Sequence, residues 1–167
     1  MVKSGDISVE AKINFSEDGS ISKDYVIDGD LENVKLKLFN KDIIENIKFG
    51  FILKNNDYVI YNASSFYQDI KFKSDEIRIK EKDSAFLFNG NISTSKNDLN
   101  LKAISKIFQL DLGNIVNDKI IFSSNNKFSF KLSKKFKFSN VKTNSKFNIE
   151  NLEYTNSSLK EFFPGYK

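Results

Sequence analysis

The stretch ISVEAKINF, residues 7–15, decides the fold class, because apolar and polar residues alternate along it without a break. Successive side chains of a β-strand point to opposite faces of the sheet, so a period of two predicts a half-buried strand. Asp18-Gly19 follows and supplies the positive φ that a tight hairpin turn requires. The chain therefore opens as a β-hairpin, and the apolar face of its first strand consists of Ile7, Val9, Ala11, Ile13 and Phe15.

The same alternation continues along most of the 167 residues. We predict further strands around residues 25–31, 34–38, 47–53, 58–63, 70–73, 77–80, 86–88, 120–122 and 128–132, with one or two more within 136–149. Lys54–Asp57 and the pair Asn125-Asn126 are predicted to be turns, because asparagine tolerates the left-handed conformation. Residues 101–113 fit either a short helix or another strand, and residues 158–163 fit one helical turn before Pro164-Gly165.

These patterns predict an all-β fold made of consecutive hairpins, with about ten strands in a long antiparallel meander. The chain has one proline and no Pro-, Gly- or Ser-rich linker, so we expect a single β-rich domain over residues 1–167. A sheet with one apolar face must cover it. The large, uniform apolar residues and the absence of Greek-key spacing favour an open, twisted groove. A closed β-sandwich or jellyroll is the alternative.

Composition excludes most catalytic chemistry. The chain has no histidine, cysteine or tryptophan, and Arg78 is its only arginine. Ser-His-Asp and Cys-His triads are therefore impossible, as are zinc sites that need thiolate or imidazole ligands. The seven glycines are scattered singly, so no phosphate-binding loop exists, and the adjacent carboxylates Asp75 and Glu76 would face opposite sides of a strand. We expect a protein that is not an enzyme and that has no cofactor or metal.

The charge is unevenly distributed along the chain. Residues 119–149 contain eight lysines and no aspartate or glutamate, whereas residues 1–118 carry a net charge of −3. Such a run is either an ordinary solvated face of a Lys- and Asn-rich protein or a surface for an anionic partner. A single arginine makes nucleic acid an improbable partner. Lys134, Lys135 and Lys137 are the candidates for contact with lipid headgroups.

Several of the predicted hairpin strands together resemble the AsmA-like family of the bacterial envelope, which includes the TamB- and YhdP-type proteins. The resemblance lies in residues 29–38, 47–51, 58–63, 70–73 and 86–92, and extends over about residues 5–155. It implies a periplasmic β-groove segment that binds the acyl chains of phospholipids during transport between the inner and outer membranes, and so contributes to envelope maintenance. It further implies that this chain is a segment of a longer envelope protein, anchored in the inner membrane through a helix that the sequence does not contain.

Parity within each strand then assigns a set of residues to the lining of the groove. The predicted lining is Val9, Ala11, Ile13, Phe15, Leu36, Leu38, Ile47, Phe49, Phe51, Phe86 and Phe88. The expected partner is a phospholipid or another acyl-chain lipid. Two other functions fit the pattern, namely a β-jellyroll carrier of the lipopolysaccharide-export type and a structural or adhesive β-domain without a ligand. No window approaches 18 consecutive apolar residues and the start lacks a signal sequence, so a complete chain would be cytoplasmic.

Overall fold

The computed structural model describes residues 2–22, 24–37, 42–68, 70–82, 84–100 and 119–150. Eight β-strands lie in these ranges, and no helix does. The strands are β1 Val2–Lys12, β2 Val26–Lys37, β3 Ile43–Lys54, β4 Asp57–Tyr67, β5 Ile70–Lys82, β6 Ala85–Asn100, β7 Lys119–Ser133 and β8 Phe138–Glu150. The predicted segments at residues 101–113 and 158–163 lie outside the described residues.

The eight strands form one open sheet in the order β1-β2-β3-β4-β5-β6-β7-β8. Each strand neighbours the one that follows it in sequence, and the five pairs from β1·β2 to β5·β6 are antiparallel. This is the arrangement that consecutive hairpins produce. The predicted all-β, open antiparallel meander is therefore confirmed.

The described strands are fewer and longer than the sequence pattern indicated, because several breaks in the alternation are bulges and not turns. Asn33, Asn46 and Asn62 each lie inside a strand with a positive φ of 55°, 48° and 51°. The register shifts beside Asn33 in the β2·β3 pair and beside Asn46 in the β3·β4 pair. A left-handed residue of this kind changes which side chains face each side without ending the strand. Residues 25–31 and 34–38, predicted as two strands, therefore contribute to the single strand β2.

The two asparagine pairs behave differently. Asn55 and Asn56 have φ values of 51° and 63° and connect β3 to β4 in a two-residue turn, with Lys54 opposite Asp57. Two consecutive positive φ values are typical of a type I′ hairpin turn, so this prediction is confirmed. The predicted turn at Asn125-Asn126 is wrong, because β7 runs through both residues from Lys119 to Ser133. The side-chain amide of Asn126 instead donates to the carbonyl oxygen of Ile92 on β6, at 3.1 Å.

Contacts divide the chain into two compact units. The first unit consists of Met1–Thr94 and Asn125–Lys146, and contains β1 to β5 with the adjoining parts of β6, β7 and β8. The second consists of Ser95–Ser124 and Phe147–Lys167, and in it the rings of Phe122 and Phe147 lie 5.9 Å apart. Among the described residues, no helix is long and apolar enough to cross a membrane.

Few apolar side chains are fully buried in the described strands. These are Val34, Ile70, Ala85, Ile120 and Phe122. Most of the other apolar side chains of the described strands are half-buried, as expected where neighbours on the adjacent strands cover their flanks.

Candidate functional site

Direct cross-strand partners share a face of the sheet, and their register builds an apolar surface on one side of the first unit. One row of direct partners crosses six strands and consists of Val9, Gly29, Phe51, Ile60, Ile77 and Gly90. A second row, one pleat along, consists of Ala11, Ile27, Leu53, Tyr58, Ile79 and Phe88. A third consists of Ile7, Leu31 and Phe49. We call the side that carries these rows the apolar face.

Most of the residues predicted to line a groove fall on or beside these rows. Val9, Ala11, Phe49, Phe51 and Phe88 are members of the rows. Ile47 lies opposite Val34, Leu36 lies opposite Ile44, and Phe86 lies opposite Glu81 on the strand that carries Phe88. The structure thus brings these eight residues onto one side of the sheet.

The remaining predicted lining residues lie elsewhere. Ile13 and Phe15 follow the end of β1, and Phe15 forms an isolated bridge with Ile21 in the β1–β2 hairpin. Both side chains are exposed and neither has a partner on β3 in the described register. Leu38 lies outside the described residues. The alternation of apolar and polar residues that begins at Ile7 therefore continues beyond Lys12, where β1 ends.

The apolar face also contains residues that parity alone did not single out. Aromatic rings continue it beyond β6, since Phe88 stacks on Phe130 at 4.5 Å and Phe130 lies 5.3 Å from Phe138. Phe128 lies 5.8 Å from Phe130 on the same strand. The alternation Phe128-Ser129-Phe130-Lys131-Leu132 was the available signal, but only the pairing of β7 with β6 places it beside Phe88.

A depression of about 220 Å³ lies on this side of the sheet. Its lining is mostly apolar and consists of Ile47, Phe49, Ile60, Ala63, Ser64, Ser65, Phe72, Lys73, Ser74, Ile77 and Ile92. Ile47 and Phe49 are among the predicted lining residues. The hydroxyl oxygen of Ser74 is buried there without a hydrogen-bond partner among the described residues, and Ser74 as a whole is only 5 % exposed. An unpaired buried hydroxyl is costly, so the depression contains one polar group that its own surroundings leave unsatisfied.

The opposite side of the sheet carries most of the charges. Its rows of direct partners include Glu10 opposite Asp28, and Asp57 opposite Lys80 at a side-chain distance of 3.3 Å. The ammonium of Lys48 contacts the carboxylate of Glu32, and this hydrogen bond raises the pKa of the lysine. Arg78 donates to Glu76 at 2.6 Å and lowers the pKa of that carboxyl group. These pairs are exposed and contribute little stability, but they make this side of the sheet polar.

The three lysines proposed for headgroup contact lie together at one hairpin. Lys134, Lys135 and Lys137 belong to the turn between β7 and β8, and all three are exposed. Lys134 lies 2.8 Å from the carboxylate of Glu81, and this hydrogen bond raises the pKa of its ammonium. No ion pair of Lys135 or Lys137 occurs among the described residues.

No group of acidic residues in the described ranges could hold a metal ion. No known protein family, curated protein or solved structure matches the chain. The functional proposal therefore rests on the apolar face and on the lysine-containing turn between β7 and β8.

Proposed function

We propose that this chain is a β-sheet segment of an AsmA-like lipid-transfer protein, and that its apolar face binds the acyl chains of phospholipids. The observation that carries the proposal is the set of apolar rows, two of which run without a charged residue from β1 across to β6 on one side of the sheet. A soluble monomer rarely exposes a continuous apolar patch larger than a few hundred Å² unless the patch binds something.

Acyl chains need no specific chemistry to bind to an apolar surface. Transfer of one methylene from water to an apolar surface contributes about 0.8 kcal/mol, so a dozen methylenes along the rows would retain a chain without a catalytic or polar residue. The apolar face offers this kind of surface. The composition excludes alternative functions that require histidine or cysteine. In this role the protein works outside the cytoplasm as part of a longer envelope protein, and has no enzymatic activity.

The first test is the lipid content of protein purified without detergent. We expect mass spectrometry of its organic extract to detect phospholipid in stoichiometric amount. The double substitution Phe49→Glu plus Phe51→Glu places two charges on the apolar face and should abolish the bound lipid. Circular dichroism checks that the β-structure remains.

A matched control makes the same change in net charge on the other side of the same strand. Ile52 and Lys54 alternate with Phe51 and Leu53 and lie opposite Val59 and Asp57. Ile52→Glu plus Lys54→Gln should retain the lipid. A wild-type protein that is lipid-free, monomeric and cooperatively folded would refute the proposal and favour a structural or adhesive domain.

A further inference from the structure

The tip of the β7–β8 hairpin presents an exposed aromatic ring, Phe136. β7 ends at Ser133 and β8 begins at Phe138. The turn between them is closed by the amide of Phe136, which donates to the carbonyl of Ser133 at 2.9 Å. The Phe136 side chain is 81 % exposed, the highest value among the large exposed hydrophobic residues described. Internal packing therefore does not explain a phenylalanine at this position.

Backbone preference does not explain it either. The φ of Phe136 is 57°, in the left-handed region. Glycine and asparagine adopt this conformation readily, whereas bulky residues rarely do. An asparagine or glycine would suit the turn better, so the aromatic ring at this tip calls for an explanation outside the folded chain.

The charge around the ring indicates what it meets. Lys134, Lys135 and Lys137 flank Phe136, and only Lys134 has an acidic partner among the described residues, Glu81. An exposed aromatic ring within a basic cluster fits the boundary between headgroups and acyl chains of an anionic membrane, where the ring enters the boundary and the ammonium groups meet phosphates.

We propose that the β7–β8 tip docks the protein on an anionic phospholipid membrane, with Phe136 inserted and with Lys135 and Lys137 on the headgroups. The inference rests on the proposed function, because a sheet that carries acyl chains has to be loaded and unloaded at a membrane. It adds a separate site, since the tip is not part of the apolar rows.

The β1–β2 hairpin provides an internal comparison. Its Phe15 is also exposed, at 68 %, but the turn that follows contains Glu17 and Asp18 instead of lysines. If exposure of an aromatic ring were sufficient, both hairpins would bind membranes equally. If the basic surroundings matter, only the β7–β8 tip should bind.

The test is co-sedimentation of the whole chain with vesicles of phosphatidylcholine, with and without phosphatidylglycerol. We expect the wild-type protein to bind the anionic vesicles and not the neutral ones. Phe136→Asn removes the ring but suits the left-handed backbone, so it should weaken binding about tenfold or more without lowering the thermal midpoint. Lys135→Gln plus Lys137→Gln should weaken it about tenfold or more, and added salt should do the same. Phe15→Ser should leave binding unchanged.

Three results would overturn the proposal. One is a wild-type protein that does not bind anionic vesicles, and another is equal loss of binding in Phe15→Ser and Phe136→Asn. The third is salt-sensitive binding that is indifferent to Phe136, which would indicate a surface for any polyanion, nucleic acid included. Phe136→Asn should still retain co-purified phospholipid, so failure of membrane docking can be distinguished from failure of lipid binding by the apolar face.

Discussion

Two glycines of the sheet make room for aromatic rings that lean across from the neighbouring strand. A Cβ added at Gly50 would lie 2.3 Å from the ring of Tyr61, and one added at Gly29 would lie 2.8 Å from the ring of Phe51. The hydroxyl of Tyr61 donates to Oδ1 of Asp28 at 3.2 Å. Partial burial and the nearby Asp28 carboxylate both raise the pKa of the tyrosine, because both disfavour the phenolate. Gly50 on β3, the ring of Tyr61 on β4 and the carboxylate of Asp28 on β2 thus lie in contact across three strands.

The contact between Gly50 and the ring of Tyr61 predicts the cost in stability of adding a methyl group at residue 50. Gly50→Ala should lower the free energy of unfolding by about 1–3 kcal/mol, because the new Cβ displaces a ring that cannot move without losing its hydrogen bond. Urea denaturation measures the change. In a Tyr61→Ala background the same substitution should cost much less, since the displaced ring is gone. An equal cost in both backgrounds would show that the contact with Tyr61 is not responsible.

Alternation identifies which residues share a face only as long as a strand remains regular. From the sequence, parity placed Val9, Phe49 and Phe88 on one side, and the register agrees. It could not locate the bulges at Asn33 and Asn46, because a left-handed asparagine inside a strand looks the same in sequence as one in a turn.

The same ambiguity explains the errors in element boundaries. Asn55-Asn56 forms a turn and Asn125-Asn126 lies within β7, although both pairs stand between strand-like segments. Which pair turns is decided by whether the flanking segments pair with each other or with another strand. Here β7 pairs with β6 on one side and with β8 on the other. Local propensity does not contain that information.

The β3–β4 turn provides a prediction for an element. Asn56 has a φ of 63°, which glycine adopts at no steric cost and alanine does not. Asn56→Ala should therefore lower the free energy of unfolding by about 1 kcal/mol or more, whereas Asn56→Gly should leave it nearly unchanged. The comparison uses urea midpoints of variants with equal m-values. Equal destabilisation by alanine and glycine would mean that the side chain of Asn56, and not its backbone, matters in the turn.

At the scale of the whole molecule, an open sheet has two edges that are not paired within the described strands. Among the described strands, β1 pairs only with β2, and β8 only with β7. Edge strands present unpaired backbone groups and are sites of association unless a charge or a proline interrupts them. On β1 the exposed apolar residues Ile7 and Val9 belong to the apolar rows. Addition of a further strand at β1 would therefore extend both the hydrogen-bond ladder and the apolar face.

This geometry predicts self-association through β1 when nothing else occupies that edge. Val9→Lys places a charge on the apolar side of the edge strand and should shift the protein towards the monomer in sedimentation velocity experiments. Ser8→Lys adds the same charge to the other side of the same strand, where Ser8 lies opposite Asp30, and should leave association unchanged. Equal effects of the two lysines would assign association to net charge, and no effect of either would assign it to a surface away from β1. A larger effect of Val9→Lys than of Ser8→Lys on self-association would identify the apolar side of β1 as the edge at which a further strand adds to the sheet.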